Sequence, residues 1–117
     1  MDETKKNVIA ELSMDFAVRI VKLSKFLGKN KEHVIATQIL RSGTSIGANI
    51  HEGIYAQSEA DFVSKLSIAL KEASETGYWL RLLYKTDMLT EKQYSSLFSD
   101  NKRIMGTLAK ILKKIKD

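Results

Sequence analysis

The stretch "QILRSGTSIGANIHEGIYAQSEADF", residues 38–62, decides how the chain is read. Its middle, residues 41–53, holds three glycines, two serines, a threonine and an asparagine in thirteen positions. Composition alone suggests a loop, even one that cradles a phosphate. The spacing of the side chains contradicts that. Ile39, Ile46 and Ile50 keep helical steps. Gln38, Ser42, Ser45, Asn49 and Glu52 follow steps of 4, 3, 4 and 3, so they share one stripe of a helix. A loop has no reason to keep that period. The phosphate-loop reading also lacks its parts: "GTSIG" is not followed by Gly-Lys-Ser/Thr and follows no strand.

Glycine inside a helix costs about 1 kcal/mol relative to alanine. A helix that accepts Gly43, Gly47 and Gly53 therefore needs a compensating benefit, and close approach of a neighbouring helix supplies one. The polar stripe sits beside the isoleucines. One reading makes it a solvated face; the preferred reading is a packed polar seam, within a subunit or between subunits. Asn49 and Glu52 then need partners, because a buried polar group without a hydrogen bond is costly. Backbone groups at the start of the third helix, or a neighbouring subunit, are the candidates.

Outward from this segment, apolar residues keep steps of three and four along most of the chain. Residues 4–27 place Val8, Leu12, Phe16, Ile20, Leu23 and Leu27 on a stripe, with Gly28 as its expected cap and Asn30 as the cap of the next helix. The second helix adds Val34 and Ile35 to the isoleucines and should end near 53–56. Ser58, with Asp61 three residues on, opens a third helix carrying Phe62, Leu66, Ala69, Ala73, Leu80 and Leu83, with Trp79 beside them. In "DMLTEKQY", Thr90 and Gln93 form a capping box and Leu89 and Tyr94 a hydrophobic staple. A fourth helix follows with Leu97, Ile104, Leu108, Ile111 and Ile115. Helices of about 24 residues, each reaching about 36 Å, must fold back when their links are short. The expected fold is all-α: a single-domain, antiparallel up-down-up-down four-helix bundle over residues 1–117.

Composition agrees. The chain has 117 residues, 44% apolar and 28% charged, with no proline and no cysteine. Missing prolines favour long uninterrupted helices. Missing cysteines remove disulfides, thiolate catalysis and cysteine-based zinc sites. No run approaches the roughly 20 apolar residues that span a bilayer. The opening residues are polar, then amphipathic, unlike a secretion signal. A cytoplasmic protein without a membrane partner is expected.

Nothing in the sequence demands an enzyme. Di-iron bundles need Glu-x-x-His motifs, and neither His33 nor His51 belongs to one. No serine sits in a nucleophile elbow. Glu72 and Glu75 share nearly one helix face and offer a carboxylate pair. The preferred reading leaves Glu72 solvated and brings Glu75 into the seam with Asn49 and Glu52; buried neighbouring carboxylates would raise one pKa. No metal, cofactor or catalytic residue is assigned.

The net charge is +5. Antiparallel folding sorts lysines by bundle end. Lys25, Lys29, Lys31 and Lys85 gather at one end, with Lys22 on the same flank of the first helix. Lys5, Lys6, Lys110, Lys113, Lys114 and Lys116 gather at the other. These are candidate phosphate contacts, although lysine near a helix C-terminus also complements the helix dipole. Tyr55 and Tyr84 are the candidate stacking platforms, and Tyr78 and Trp79 are read as packing residues, in the core or an interface.

"LRSGTSIGANIHEG", with "SEADFVSKLSIALKEASETGYWLRLL" after it, resembles the four-helix-bundle family of proteins encoded in intervening sequences of bacterial 23S rRNA genes. The matching motif is Arg41, Ser42, Ser45, Ile46, Asn49, Glu52 and Gly53, continued by Phe62, Glu75 and Leu80. That family is similar to the accessory variability protein of diversity-generating retroelements, a pentameric barrel associated with nucleic acid and a reverse transcriptase. The resemblance implies a homopentamer and suggests an RNA or ribonucleoprotein partner. A protein-binding adaptor is the alternative it carries. The polar seam taken from it is Arg41, Ser42, Ser45, Asn49, Glu52 and Glu75.

Overall fold

The computed structural model describes residues 3–116, the Lys116 side chain excepted, so that lysine's place in the basic end lies outside the described residues. Four helices follow one another: α1 (Glu3–Lys29), α2 (His33–Ile54), α3 (Glu59–Lys85) and α4 (Glu91–Lys116). Each packs on its neighbour in sequence, and α4 closes the ring against α1 along the thinnest of the four seams. The result is the expected antiparallel four-helix bundle, 43 × 22 × 19 Å. Residues 38–54 are helical throughout, so the glycine-rich segment is a rod.

The core is built from the anticipated residues, with instructive exceptions. Phe16, Ile20, Leu27, Ile39, Ile46, Ile50, Leu66, Leu80, Leu83, Ile104 and Leu108 are fully buried. Val8 and Val34 are not; Val34 is 74% exposed. At about 100° per residue, every four-residue step drifts about 40° around a helix. Counting back from Phe16 in fours therefore carries Leu12 to the edge of the core and Val8 out of it. Ile9 and Ser13 take the buried places. Val34 lies in the first turn of α2, on the side away from Ile39 and Ile46.

Two of the three links follow their capping signals. Ser58 Oγ accepts the Asp61 backbone N–H at 3.1 Å. The Thr90 N–H donates to Gln93 Oε1 at 2.9 Å, and the Gln93 N–H donates to Thr90 Oγ1 at 3.1 Å. The first link departs from expectation. Gly28 stays inside α1 and does not turn left-handed; Lys31 does, with φ 64°. The Lys31 N–H donates to the Gly28 carbonyl at 3.0 Å and the Glu32 N–H to the Leu27 carbonyl at 2.9 Å. That is a Schellman closure with lysine where glycine is usual. Asn30 does not cap α2. Its Nδ2 donates backward to the Phe26 carbonyl at 2.8 Å, and Glu32 stands at the N-cap without a side-chain bond. The third link repeats the closure, with Asp87 at φ 64° and Met88 N–H donating to the Leu83 carbonyl at 2.9 Å.

The glycines of α2 are not equivalent. A Cβ on Gly43 would sit 2.7 Å from Ile20 Cγ2 and 2.9 Å from its Cγ1. Ile20 is fully buried and branched at Cβ, so it has no free rotamer to yield. A Cβ on Gly53 would meet Leu66 Cδ1 at 2.6 Å, the far end of a more flexible side chain. At Gly47 the nearest atoms, of Ser13, lie at 3.4–3.5 Å, an ordinary contact. Close approach therefore explains Gly43 and Gly53, and it does not require Gly47.

Gly43→Ala should lower stability by about 1–3 kcal/mol, as overpacking of a filled core does. Gly106→Ala, where a Cβ meets nothing within 4 Å, should instead gain up to about 1 kcal/mol from helix propensity. Urea unfolding followed by circular dichroism separates the two signs.

Candidate functional site

The polar stripe of α2 lies along α3, and the structure divides it into three parts. Ser42 is fully buried, and its hydroxyl shares a 2.9 Å hydrogen bond with that of Thr76. Thr76 Oγ1 also lies 2.9 Å from the Glu72 carbonyl. A hydroxyl has one proton, so Thr76 can serve its own helix while Ser42 supplies the proton between them. Sequence reading singled out Ser42 and missed Thr76, which sits among Ala69, Ala73 and Leu80 on the buried face of α3.

Arg41 forms the second part. Its Nη1 donates to Glu72 Oε2 at 3.1 Å and its Nη2 donates to Glu75 Oε2. Trp79 Nε1 donates to the same Glu75 oxygen at 3.0 Å. One guanidinium thus bridges two carboxylates one turn apart on α3. This corrects two expectations. Glu75 joins Arg41 and not Asn49 or Glu52, and the Glu72 side chain is the less exposed of the pair, 20% against 37%.

Asn49 and Glu52 form the third part. Asn49 Nδ2 donates to the Ser45 carbonyl of its own helix at 2.9 Å. Glu52 Oε1 pairs with Lys65 Nζ at 3.6 Å across the α2–α3 turn. Asn49 therefore takes nothing from the start of α3, and Glu52 meets an α3 side chain instead of its backbone.

Glu75 is held in its charged form. The Trp79 hydrogen bond, then Arg41, depress the Glu75 pKa against an opposing effect of burial. The hydrogen bond to Glu75 raises that of Arg41. A general acid needs the opposite shift. A depressed carboxyl stabilises the fold above its unfolded pKa of about 4.3 and loses that contribution as pH falls through the folded value. The pair is partly exposed, so solvent keeps the effect near 0–1 kcal/mol.

The candidate basic residues lie where the topology sorts them. Lys22, Lys25, Lys29, Lys31 and Lys85 are exposed toward the end holding the first and third links; Lys110, Lys113 and Lys114 are exposed toward the other. None of these eight forms an ion pair among the described residues. Lys5, Lys110 and Lys114 border a groove of about 470 Å³ between α1 and α4, floored by Val8, Ile111 and Ile115. Tyr55 is exposed beside His51. Tyr84 stacks on Tyr94 at 4.6 Å, which covers one of its faces. Tyr78 does not pack in the core: it is 60% exposed and meets Trp79 edge-on. Among the described residues no group of three or more His, Asp or Glu gathers to hold a metal ion, and no helix is long and apolar enough to cross a membrane.

Two further polar fastenings escaped the sequence. Arg19 of α1 donates to Asp100 at 2.5 Å and to Ser96 Oγ at 2.9 Å, both on α4. Asn101, buried, donates to the Ala73 carbonyl at 2.9 Å and joins α4 to α3. Arg19 and Asp100 lie 81 positions apart, so no local pattern announces them. Asn101 falls between Leu97, Ile104 and Leu108 on the core side of α4, which is the one available hint.

These features define a closed antiparallel bundle with a bridged Arg-Glu-Glu seam and exposed lysines toward its ends. The chain belongs to the 23S rRNA-intervening sequence protein family, whose model matches residues 5–110. It is also similar to a protein of unknown function from the S23 ribosomal protein family of Bacteroides thetaiotaomicron VPI-5482, solved by crystallography at 1.70 Å. The two are 56% identical, with 93% of this chain and 98% of that one covered and a TM-score of 0.91. A search of the curated proteins found no match.

Trp79→Phe should raise the Glu75 pKa back toward the ordinary carboxyl value without unfolding the chain. The check is a carboxyl-carbon NMR titration. An unchanged midpoint would mean that the indole hydrogen bond is not what holds Glu75 ionised.

Proposed function

We propose that this protein is a non-enzymatic homo-oligomer that binds RNA or a ribonucleoprotein. One observation carries the reading: eight exposed lysines, sorted to the two ends of the bundle, form no ion pair among the described residues. An ammonium group that no carboxylate occupies is available to displace counterions from phosphate. The family name and the S23 ribosomal description of the similar structure point the same way. Five copies is the number the sequence resemblance implies. Repetition by symmetry turns weak phosphate contacts into useful affinity. A cytoplasmic setting follows from this partner.

A second reading is an adaptor or assembly module that holds another protein, such as a reverse transcriptase. It is favoured by exposed apolar side chains on α1 and α2: Met14, Val18, Phe26, Val34 and Leu40. Exposed apolar residues grouped on adjoining helices suit a protein contact, including one between copies of this chain.

Salt distinguishes the readings. If phosphate contacts carry binding, log affinity for RNA should fall linearly with log salt, by about 0.7 per contact on a single strand. Fluorescence anisotropy with a labelled RNA, run after native mass measurement of the oligomer, gives both numbers. A monomer that retains no RNA at low salt would defeat the proposal, and a salt-insensitive protein complex would favour the adaptor.

A further inference from the structure

The excess charge of the chain is not spread over the bundle. Residues 91–116 carry seven Lys or Arg against two Asp or Glu; the remaining twelve cations are matched by twelve acids. The entire excess of +5 therefore belongs to α4. Within α4 it is concentrated again. Lys92, Lys102, Arg103, Lys110, Lys113 and Lys114 are all exposed. At about 100° per residue they fall within an arc of about 120°, centred opposite Leu97, Ile104 and Leu108. From Lys92 to Lys114 the stripe runs roughly 33 Å.

Among the described residues, no carboxylate of α4 interrupts it. Glu91 lies in the first turn, before the stripe begins. Asp100 turns to α1, where Arg19 binds it at 2.5 Å. The α3 acids Glu72 and Glu75 face α2 and are held by Arg41. Toward α4, α3 adds another cation instead: Lys71 borders the groove that Gly106 and Ala109 line. Between the cations the face is nearly smooth. Ser95, Ser99, Gly106 and Ala109 are exposed and small, and nothing stands within 4 Å of where a Gly106 Cβ would be.

The face offers charge along its whole length and aromatic rings only over its first two turns. Tyr94 and Phe98, the aromatics of α4, are half-buried against the core beside Lys102 and Arg103, and one face of Tyr94 is taken by Tyr84, so rings accompany only one end of the stripe. Sequence-tolerant single-strand binding depends on aromatic stacking of unpaired bases. A duplex hides its bases and presents regular phosphate rows, which are recognised by shape and charge. We infer that the outward face of α4 docks the phosphate backbone of a nucleic-acid duplex without reading its bases. The inference rests on the RNA-binding reading above, and moves the main contact from the bundle ends to one helix face.

Two variants with equal charge change test it. One carries Lys92→Gln, Lys102→Gln, Arg103→Gln and Lys110→Gln; the other carries Lys22→Gln, Lys25→Gln, Lys29→Gln and Lys31→Gln. Both lower the net charge from +5 to +1. Circular dichroism confirms the fold of each. Binding is measured to an RNA duplex of about 16 base pairs, the DNA duplex of the same sequence, the RNA single strand, and phosphatidylserine vesicles. The α4 variant should lose at least about tenfold in duplex affinity and flatten the salt dependence by about three contacts, while the α1 variant, which removes end contacts of the reading above, should lose no more than about a third as much. RNA and DNA duplexes binding alike would support backbone docking on either. The inference is overturned if the α4 variant binds duplex like the parent, if the α1 variant loses as much, or if the parent prefers the single strand or the vesicles. Loss of RNA binding in the α1 variant alone overturns the inference yet leaves the RNA-binding reading standing. A parent that binds no nucleic acid at all overturns both.

Discussion

The approach of Ile20 to the bare backbone of Gly43 is the constraint on which the bundle depends. A methyl group at position 43 would overlap two carbons of a fully buried, branched side chain. That contact brings α1 against α2 at mid-height. Once the helices are that close, other groups on α1 must be small as well. Ser13 and Ser24 meet the requirement, and Ser24 Oγ uses its position to donate to the Ala36 carbonyl at 3.1 Å. On its other side α2 meets α3 through the Ser42–Thr76 hydroxyl pair and through Gly53 under Leu66. The composition that makes α2 look like a loop is thus what lets it serve as the hub between two neighbours.

Most of the fold was legible in the sequence because helical period and capping chemistry are local. The Thr90–Gln93 box and the Ser58 cap are read within four residues, and both are present. Errors arose where geometry accumulates or where partners are distant. A chain of four-residue steps drifts around the helix, so Val8 was placed inside and Ile9 overlooked. Lys31 and Asp87 adopt left-handed backbone at helix ends, a place where sequence reasoning looks for glycine and so chose Gly28. The period of Ser42, Ser45, Asn49 and Glu52 revealed a stripe, but its partners could not be read from spacing. They turned out to be a hydroxyl of α3, the α2 backbone itself and Lys65. Arg41 belonged to the motif from the start, yet its double grip on Glu72 and Glu75 needed the register of α2 against α3 to be known.

The bundle keeps its chemistry on separate sides. The α2–α3 side is neutral, with five Lys or Arg against five Asp or Glu over residues 33–85, and Arg41 and Lys65 hold three of those carboxylates. Arg19 ties α1 to α4 and pairs with Asp100, the one mid-helix acid of α4. Most of the large apolar side chains that the core did not take are on α1 and α2, with Ile68, Tyr78 and Tyr84 on α3. Ion pairing in one quarter therefore leaves unbalanced charge in another, and the apolar surface falls elsewhere again.

Trp79 gives this arrangement a practical consequence. It is the chain's one tryptophan, and its ring nitrogen is fastened to the carboxylate that Arg41 also holds. The ring lies half in the bundle and half toward water, with Tyr78 against it. Indole fluorescence responds to polarity and to nearby charge, so the emission of the native chain comes from a single reporter seated on the α2–α3 join. Anything that slides those two rods, or covers the tyrosine beside them, becomes visible in a cuvette without a dye.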